Sequence, residues 1–196
     1  MTDDEALMLE FQRGSREAFD ELFTRYRGPL FGFFRRRLAS DERAEDLTQE
    51  TFLVVIRATE RYEPRALVRT YLYSIALKLV ASERRKQARS PVPLDDSPEP
   101  VVDDPSEEVV WVRQALGRLE EREREILMLR EYEQLSYDEI ARLLRIPVNT
   151  VRSRLFRSRM ALKNHLQPGA GLQEDRSTGA EKAAKASRQM QTEDEA

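Results

Sequence analysis

LSYDEIARLLRIPVNTVRSRLFRSRMALKNHL, residues Leu135 to Leu166, reads as two helices joined by a tight turn. Ser136 followed by Glu139 is a capping box, in which a hydroxyl and a carboxylate satisfy orphan N–H groups at a helix start. Ile140, Leu143 and Leu144 then supply an apolar stripe. Arg145-Ile146-Pro147 interrupts that helix, because Pro147 lacks an N–H and biases Ile146 away from helical dihedrals. A second helix can begin at Val148 or Asn149, with Val151, Leu155, Ser158, Leu162 and Leu166 at the spacing of one buried face and Ser158 small enough to admit a neighbouring helix closely. Its other face carries Asn149, Arg152, Ser153, Phe156 and Arg157. From Thr150 to Leu166 there are five cations, Arg152, Arg154, Arg157, Arg159 and Lys163, and no acid. A short helix, a sharp turn and a second helix with basic and amide groups near its start is the geometry that enters the major groove. The alternative for this stretch alone is a helical hairpin with a solvated basic face.

Around it, the 196-residue chain is 35% charged and 40% apolar, the balance of a soluble, helix-rich protein of one domain or two small ones. No run approaches a membrane span, and MTDDEALMLEFQRG at the start has acids where a signal peptide needs cations, so a cytoplasmic location without membrane insertion is expected. The absence of cysteine excludes disulfides, thiolate metal sites and a cysteine nucleophile. The lone histidine, His165, excludes a multi-histidine metal site and is placed where a helix C-terminus favours it. No cofactor and no small-molecule substrate is implied.

The net charge of −3 conceals an uneven distribution. Residues 90–106, SPVPLDDSPEPVVDDPS, hold five acids, no cation and five of the nine prolines. Prolines at that density pre-set an extended backbone and forbid a packed helix, which predicts a flexible linker between a helical domain over 1–89 and a second over 107–166. Gln167 to Ala196 have few large apolar residues and predict a disordered tail. The fold class expected is therefore all-α, two small helical domains joined by a Pro/Asp-rich linker, the second a helix-turn-helix domain.

The first block reads as helices throughout. In EAFDELFTRYRGPLFGFFRRRL, Phe19, Leu22, Phe23, Tyr26 and Leu30 form a helical stripe with a kink expected at Gly28-Pro29, and Arg35-Arg36-Arg37 close it as a cationic cluster. Ser40 or Asp41 can cap the next helix, whose inward face is expected to be Leu47, Thr51, Val54 and Ala58. Asp46, Gln49, Glu50, Leu53 and Ile56 project the other way. Acids mixed with apolar side chains suit a partner protein with basic and apolar groups. A metal cluster of Glu42, Glu45, Asp46 and Glu50 is the competing account, but one helix cannot surround a cation.

After a turn at Arg61-Tyr62-Glu63-Pro64 comes ALVRTYLYSIALKLVASERRKQAR. Leu67, Tyr71, Ile75 and Leu79 are expected to face inward, while Arg69, Tyr73, Lys78, Arg84, Arg85, Lys86 and Arg89 give the remainder a basic, aromatic-interleaved character. Cations and aromatics together hold strand phosphates and stack unpaired bases. An ordinary amphipathic helix with half-buried tyrosines is the alternative.

With both halves read, residues 15 to 166 resemble a bacterial sigma factor of the extracytoplasmic-function (ECF) group. AEDLTQETF, Ala44 to Phe52, is similar to the segment that binds the clamp helices of the largest subunit of RNA polymerase, which implies that role for Asp46, Gln49 and Glu50, with Leu53 beside them. VRTYLYSIALKLVASERRK is similar to the segment that opens and reads the minus-10 promoter element, and the resemblance extends that role to Arg61, Arg69, Tyr71, Tyr73, Lys78, Arg84 and Arg85. ALGRLEEREREILMLREYEQLSYDEIARLLRIPVNTVRSRLFRSRMAL is similar to the minus-35 reader, with Asn149, Thr150, Arg152, Ser153, Phe156 and Arg157 as its contact set. Tyr71 stands where the family usually has Trp, Lys78 where it often has Asn, and Glu120 where a Pro commonly precedes the helix. The partners implied are RNA polymerase core, promoter DNA and an anti-sigma factor, with no catalysis by this chain. Two other classes compete: a conventional regulator that dimerises on a palindrome, and an enzyme acting on nucleic acid, the latter without a metal or nucleophile constellation.

Overall fold

The computed structural model describes residues 3–38, 40–89 and 107–166, so the expected linker at 90–106 and the tail from Gln167 lie outside the described residues. Within them the secondary structure is helical, with eight α-helices and no strand. They are α1 (Asp3–Gln12), α2 (Arg16–Arg35), α3 (Asp41–Ala58), α4 (Val68–Arg89), α5 (Glu107–Gly117), α6 (Glu121–Glu131), α7 (Tyr137–Leu144) and α8 (Val148–His165), with a 3-10 turn at Thr59–Arg61. Among the described residues no helix is long and apolar enough to cross a membrane.

Helix starts follow local chemistry. The Ser15 side chain accepts from the Ala18 N–H to cap α2, and the Ser40 side chain accepts from the Arg43 N–H to cap α3, leaving Asp41 as the first helical residue. Helix α2 runs without interruption through Gly28-Pro29. At α7 the capping box forms in full: the Glu139 N–H donates to the Ser136 hydroxyl, and the Ser136 N–H donates to the Glu139 carboxylate. The interruption after α7 falls over Arg145–Pro147, but Arg145 makes the turn. It adopts a left-handed backbone (φ 55°, ψ 45°), and the Ile146 N–H then reaches back to the Ala141 carbonyl at 3.0 Å. Pro147 directly precedes α8, where a missing N–H costs nothing, and its carbonyl accepts from Thr150 and Val151.

The described residues form two compact units, those within Met1–Asp104 and Met128–Val151, and those within Pro105–Leu127 and Arg152–Ala196. This grouping runs across the sequential division expected from the linker. In the first unit α2 packs on α1 and α3, α4 on α3 and α2, and α7 on α4. Met8, Leu22, Leu30, Phe33, Phe34, Leu47, Phe52, Val55, Val68, Leu72 and Ala76 fill its interior. Burying side chains of this size contributes about 1.5–3 kcal/mol each before the entropy of ordering is counted. On α3 the inward face is Ala44, Leu47, Thr48, Thr51, Phe52 and Val55. The expected inward residues Val54 and Ala58 are only half-buried, because Val55 takes the core position one residue on. In the second unit Ser158 of α8 is fully buried, and its hydroxyl lies 3.1 Å from the Glu123 carbonyl of α6 and 2.8 Å from the Arg154 carbonyl, the close approach that a small residue permits.

Candidate nucleic-acid interface

Helix α8 is continuous from Val148 to His165, and its pattern of exposure separates two faces cleanly. Val151, Leu155 and Ser158 are buried; Asn149, Arg152, Ser153, Phe156 and Arg157 are exposed, and Thr150 is half-buried. Phe156 is 64% exposed. Its ring stands in water on the exposed face that also carries Arg152 and Arg157. The Arg157 guanidinium lies 3.9 Å from the Glu123 carboxylate at the surface, a long and weak contact.

A second cationic surface forms where α4 meets the turn before it. An open groove of about 770 Å³ is lined by Arg61, Arg65, Tyr71, Lys78, Arg142 and Arg145, among others. Three of these, Arg61, Tyr71 and Lys78, are expected from the sequence; Arg65, Arg142 and Arg145 are not. Arg142 and Arg145 sit at the end of α7 and in the turn beyond it, 64 or more positions from Lys78, so only folding brings them to the groove. Tyr71 is half-buried with its ring 5.5 Å from that of Tyr62, an aromatic pair at the groove wall. Burial raises the pKa of both phenols, Tyr62 to about 12, so both remain neutral at physiological pH. Lys78, Arg84 and Arg85 are exposed on the outer side of α4.

Arg69 and Tyr73 are placed differently. Tyr73 is 4% exposed, not outward as the spacing predicts, and its hydroxyl lies 3.3 Å from the Glu133 carboxylate. Burial, then the neighbouring Glu133 charge, pushes its phenol well above the ordinary value. Glu133 also accepts from Arg36 at 2.9 and 3.0 Å and from Arg37 at 3.3 Å, so two members of the Arg35–Arg37 cluster are committed to one carboxylate. The Arg69 Nε donates to the Glu139 carboxylate at 2.6 Å, and the Thr70 hydroxyl lies 3.2 Å from the same oxygen. Helix α4 therefore buries Val68, Thr70, Leu72, Tyr73, Ile75, Ala76 and Val80, a wider arc than the single stripe expected.

On α3 all four of Asp46, Gln49, Glu50 and Leu53 are exposed, joined by Ile56; Leu53 and Ile56 are 47% and 45% exposed. Asp46 is met by Arg43 at 3.2 Å, while the same guanidinium is anchored to Glu83 at 2.7 and 3.0 Å. The face is thus an apolar pair flanked by acids on a rigid helix. No group of histidine and acid side chains suited to a metal ion occurs among the described residues.

Residues 22–90 match the family description "Sigma-70 region 2" and residues 110–162 "Sigma-70, region 4". The RNA polymerase sigma-H factor of Pseudomonas aeruginosa is 32% identical over 182 residues, 84% of this chain and 94% of that protein. The ECF RNA polymerase sigma-E factor of Haemophilus influenzae is 31% identical over 182 residues, 84% of this chain and 96% of that protein. Among solved structures, CnrH in complex with the cytosolic domain of CnrY shares the fold with a TM-score of 0.62 at 23% identity, over 82% of this chain and 94% of that one. The sigma factor RpoE in complex with the anti-sigma factor NepR, from Bartonella quintana, does so with a TM-score of 0.61 at 22% identity, over 76% and 96%. Both sigma-70 regions in order on one chain, with relatives matched over nearly their whole length, make the assignment: the chain belongs to the ECF subfamily of RNA polymerase sigma factors and directs promoter-specific initiation of transcription.

Proposed function

We propose that the three exposed surfaces divide the work of initiation. The α3 face of Asp46, Gln49, Glu50 and Leu53 docks on the clamp helices of the largest polymerase subunit. The α8 face reads the minus-35 element: phosphate contacts set register, Arg152 or Arg157 pairs with guanine, and Phe156 touches a thymine methyl. The groove beside α4 takes the opened minus-10 strand, with Arg61, Lys78, Arg84 and Arg85 on phosphates and Tyr71 against an unstacked base. Unstacking a base costs a few kcal/mol, so melting must be offset by contacts made to the opened strand alone. Phosphoryl transfer is left to polymerase.

The observation that carries this assignment is the coexistence on one chain of an acidic-apolar helix face with two separate cationic surfaces that each expose or half-expose an aromatic ring. In this scheme the groove beside α4 and the exposed face of α8 act as two DNA readers on one chain. Two weak DNA sites so tethered bind as one stronger site. The protein works in the cytoplasm, where polymerase is, and an anti-sigma factor that covers these faces holds it inactive, in keeping with the sigma factor RpoE, which shares its fold and was solved in complex with the anti-sigma factor NepR. Binding to core polymerase without DNA, followed by transcription from a promoter-bearing template, tests the scheme. A chain that ignores core polymerase and binds palindromic duplex as a stable dimer would be a conventional regulator instead.

A further inference from the structure

Gln12, the last residue of α1, donates from one side-chain amide to three backbone carbonyls nearly fifty residues away. Its Nε2 lies 2.9 Å from the Thr59 oxygen, 3.3 Å from that of Glu60 and 3.1 Å from that of Tyr62. An amide nitrogen has two hydrogens, so three acceptors share them; these are two carbonyls of the 3-10 turn and that of Tyr62 just after it, the Thr59 carbonyl also accepting from the Tyr62 N–H at 3.0 Å. The hook has a firm base. The Tyr26 hydroxyl and the Arg25 guanidinium of α2 both bond to Asp4 of α1, Met8 is 1% exposed, and the Phe11 ring sits 4.8 Å from that of Phe19. What it holds is the backbone that carries Arg61 and Tyr62, the first a groove cation and the second the ring packed on Tyr71. Helix α1 lies before residue 22, where the match to sigma-70 region 2 begins.

We propose that Gln12 is a positioning residue for minus-10 recognition: by pinning the Thr59–Tyr62 backbone it fixes Arg61 and the Tyr62–Tyr71 pair in the geometry that receives an opened strand. This rests on the assignment of the α4 groove to that strand. Gln12 touches no DNA in this account and acts through the turn.

The test uses the full chain bound to core polymerase, with strand opening at a promoter read by permanganate reactivity and core affinity measured separately. Gln12→Glu keeps the shape, removes both donors and sets an anion against three carbonyls, so opening should fall about tenfold at unchanged core affinity. Gln12→Lys restores donors to the same oxygens and should recover opening to within about twofold of the parent. If Gln12→Glu does not fold, Gln12→Met, of similar shape and without donors, takes its place with the same expected loss. Parental opening by the donor-free variant overturns the proposal, as does equal loss in the donor-free and lysine variants. Arg61→Ala and Tyr71→Ala keep the two levels apart: if these open promoters normally, the groove assignment itself is wrong, whereas if they fail and Gln12→Glu does not, only the role of Gln12 is.

Discussion

Glu139 holds two structures together with one carboxylate: it closes the capping box with Ser136, and it receives Arg69 and Thr70 from α4. Burial alone would raise its pKa; the Arg69 hydrogen bond and the Ser136 hydroxyl and backbone outweigh that and hold it at about 2, below the ordinary 4.5. A depressed carboxylate contributes stability that is present in full above its unfolded pKa and is lost as pH falls through the folded one. Glu139→Gln retains capping geometry, since glutamine serves at that position. Comparing denaturation midpoints of parent and variant should therefore show a gap on the order of 2 kcal/mol at pH 7, discounted for the partial exposure of Arg69, that closes between about pH 4.5 and pH 2. A gap that does not change with pH would mean the ion pair contributes nothing. The capping half of this residue is legible in the sequence, because Ser136 and Glu139 lie three apart. Its pairing with Arg69, seventy positions away, is not.

At the scale of helices, periodicity succeeds where one side of a helix is buried and fails where neighbours surround it. On α8 the spacing of Val151, Leu155 and Ser158 places the exposed set correctly, and on α3 it misplaces only Val54 and Ala58. On α4, packed against α2, α3 and α7, apolar residues occupy so much of the circumference that the pattern no longer fixes a phase, and Tyr73 turns out to be core while Tyr71 reaches the groove. Helix α1 leaves little trace, since DDEALMLEFQ has no clear stripe; three acids in its first turn favour a helix start, and long-range contacts do the rest. The α3 face offers the direct element-level check. Asp46→Ala with Glu50→Ala should leave the thermal midpoint nearly unchanged, since both are exposed, and weaken core polymerase binding by about 2–4 kcal/mol if the carboxylates meet cations in a desolvated contact. Unfolding of the double variant would make the face structural, and parental binding would move the docking surface elsewhere.

Across the whole molecule, the feature hardest to read from sequence is that Met128–Val151 groups with the N-terminal helices, because its anchors are carboxylates separated from their hydrogen-bond partners by 60 to 97 positions. Glu133 gathers Arg36, Arg37 and the Tyr73 hydroxyl, and Glu139 gathers Arg69. Arg69 and Tyr73 belong to the minus-10 set expected from the sequence, and if they serve it the two carboxylates occupy donors that strand phosphates would need. An intramolecular anion competes at an effective concentration of about millimolar or above. Glu133→Gln with Glu139→Gln removes both charges while keeping side-chain size. Stability should fall by roughly 2–4 kcal/mol, since the Arg37 side chain, 1% exposed, no longer faces the Glu133 charge. Affinity of the free protein for a single-stranded minus-10 oligonucleotide should instead rise by about fivefold to tenfold at low salt, the gain shrinking as salt screens the released cations. Glu139→Gln alone should show a smaller rise at smaller cost to stability, which guards against a double variant too unstable to assay. Oligonucleotide affinity unchanged in both variants, with stability lowered, would show that Arg69 and Tyr73 serve packing alone and that the opened strand is held only by the Arg61–Tyr71–Lys78 groove.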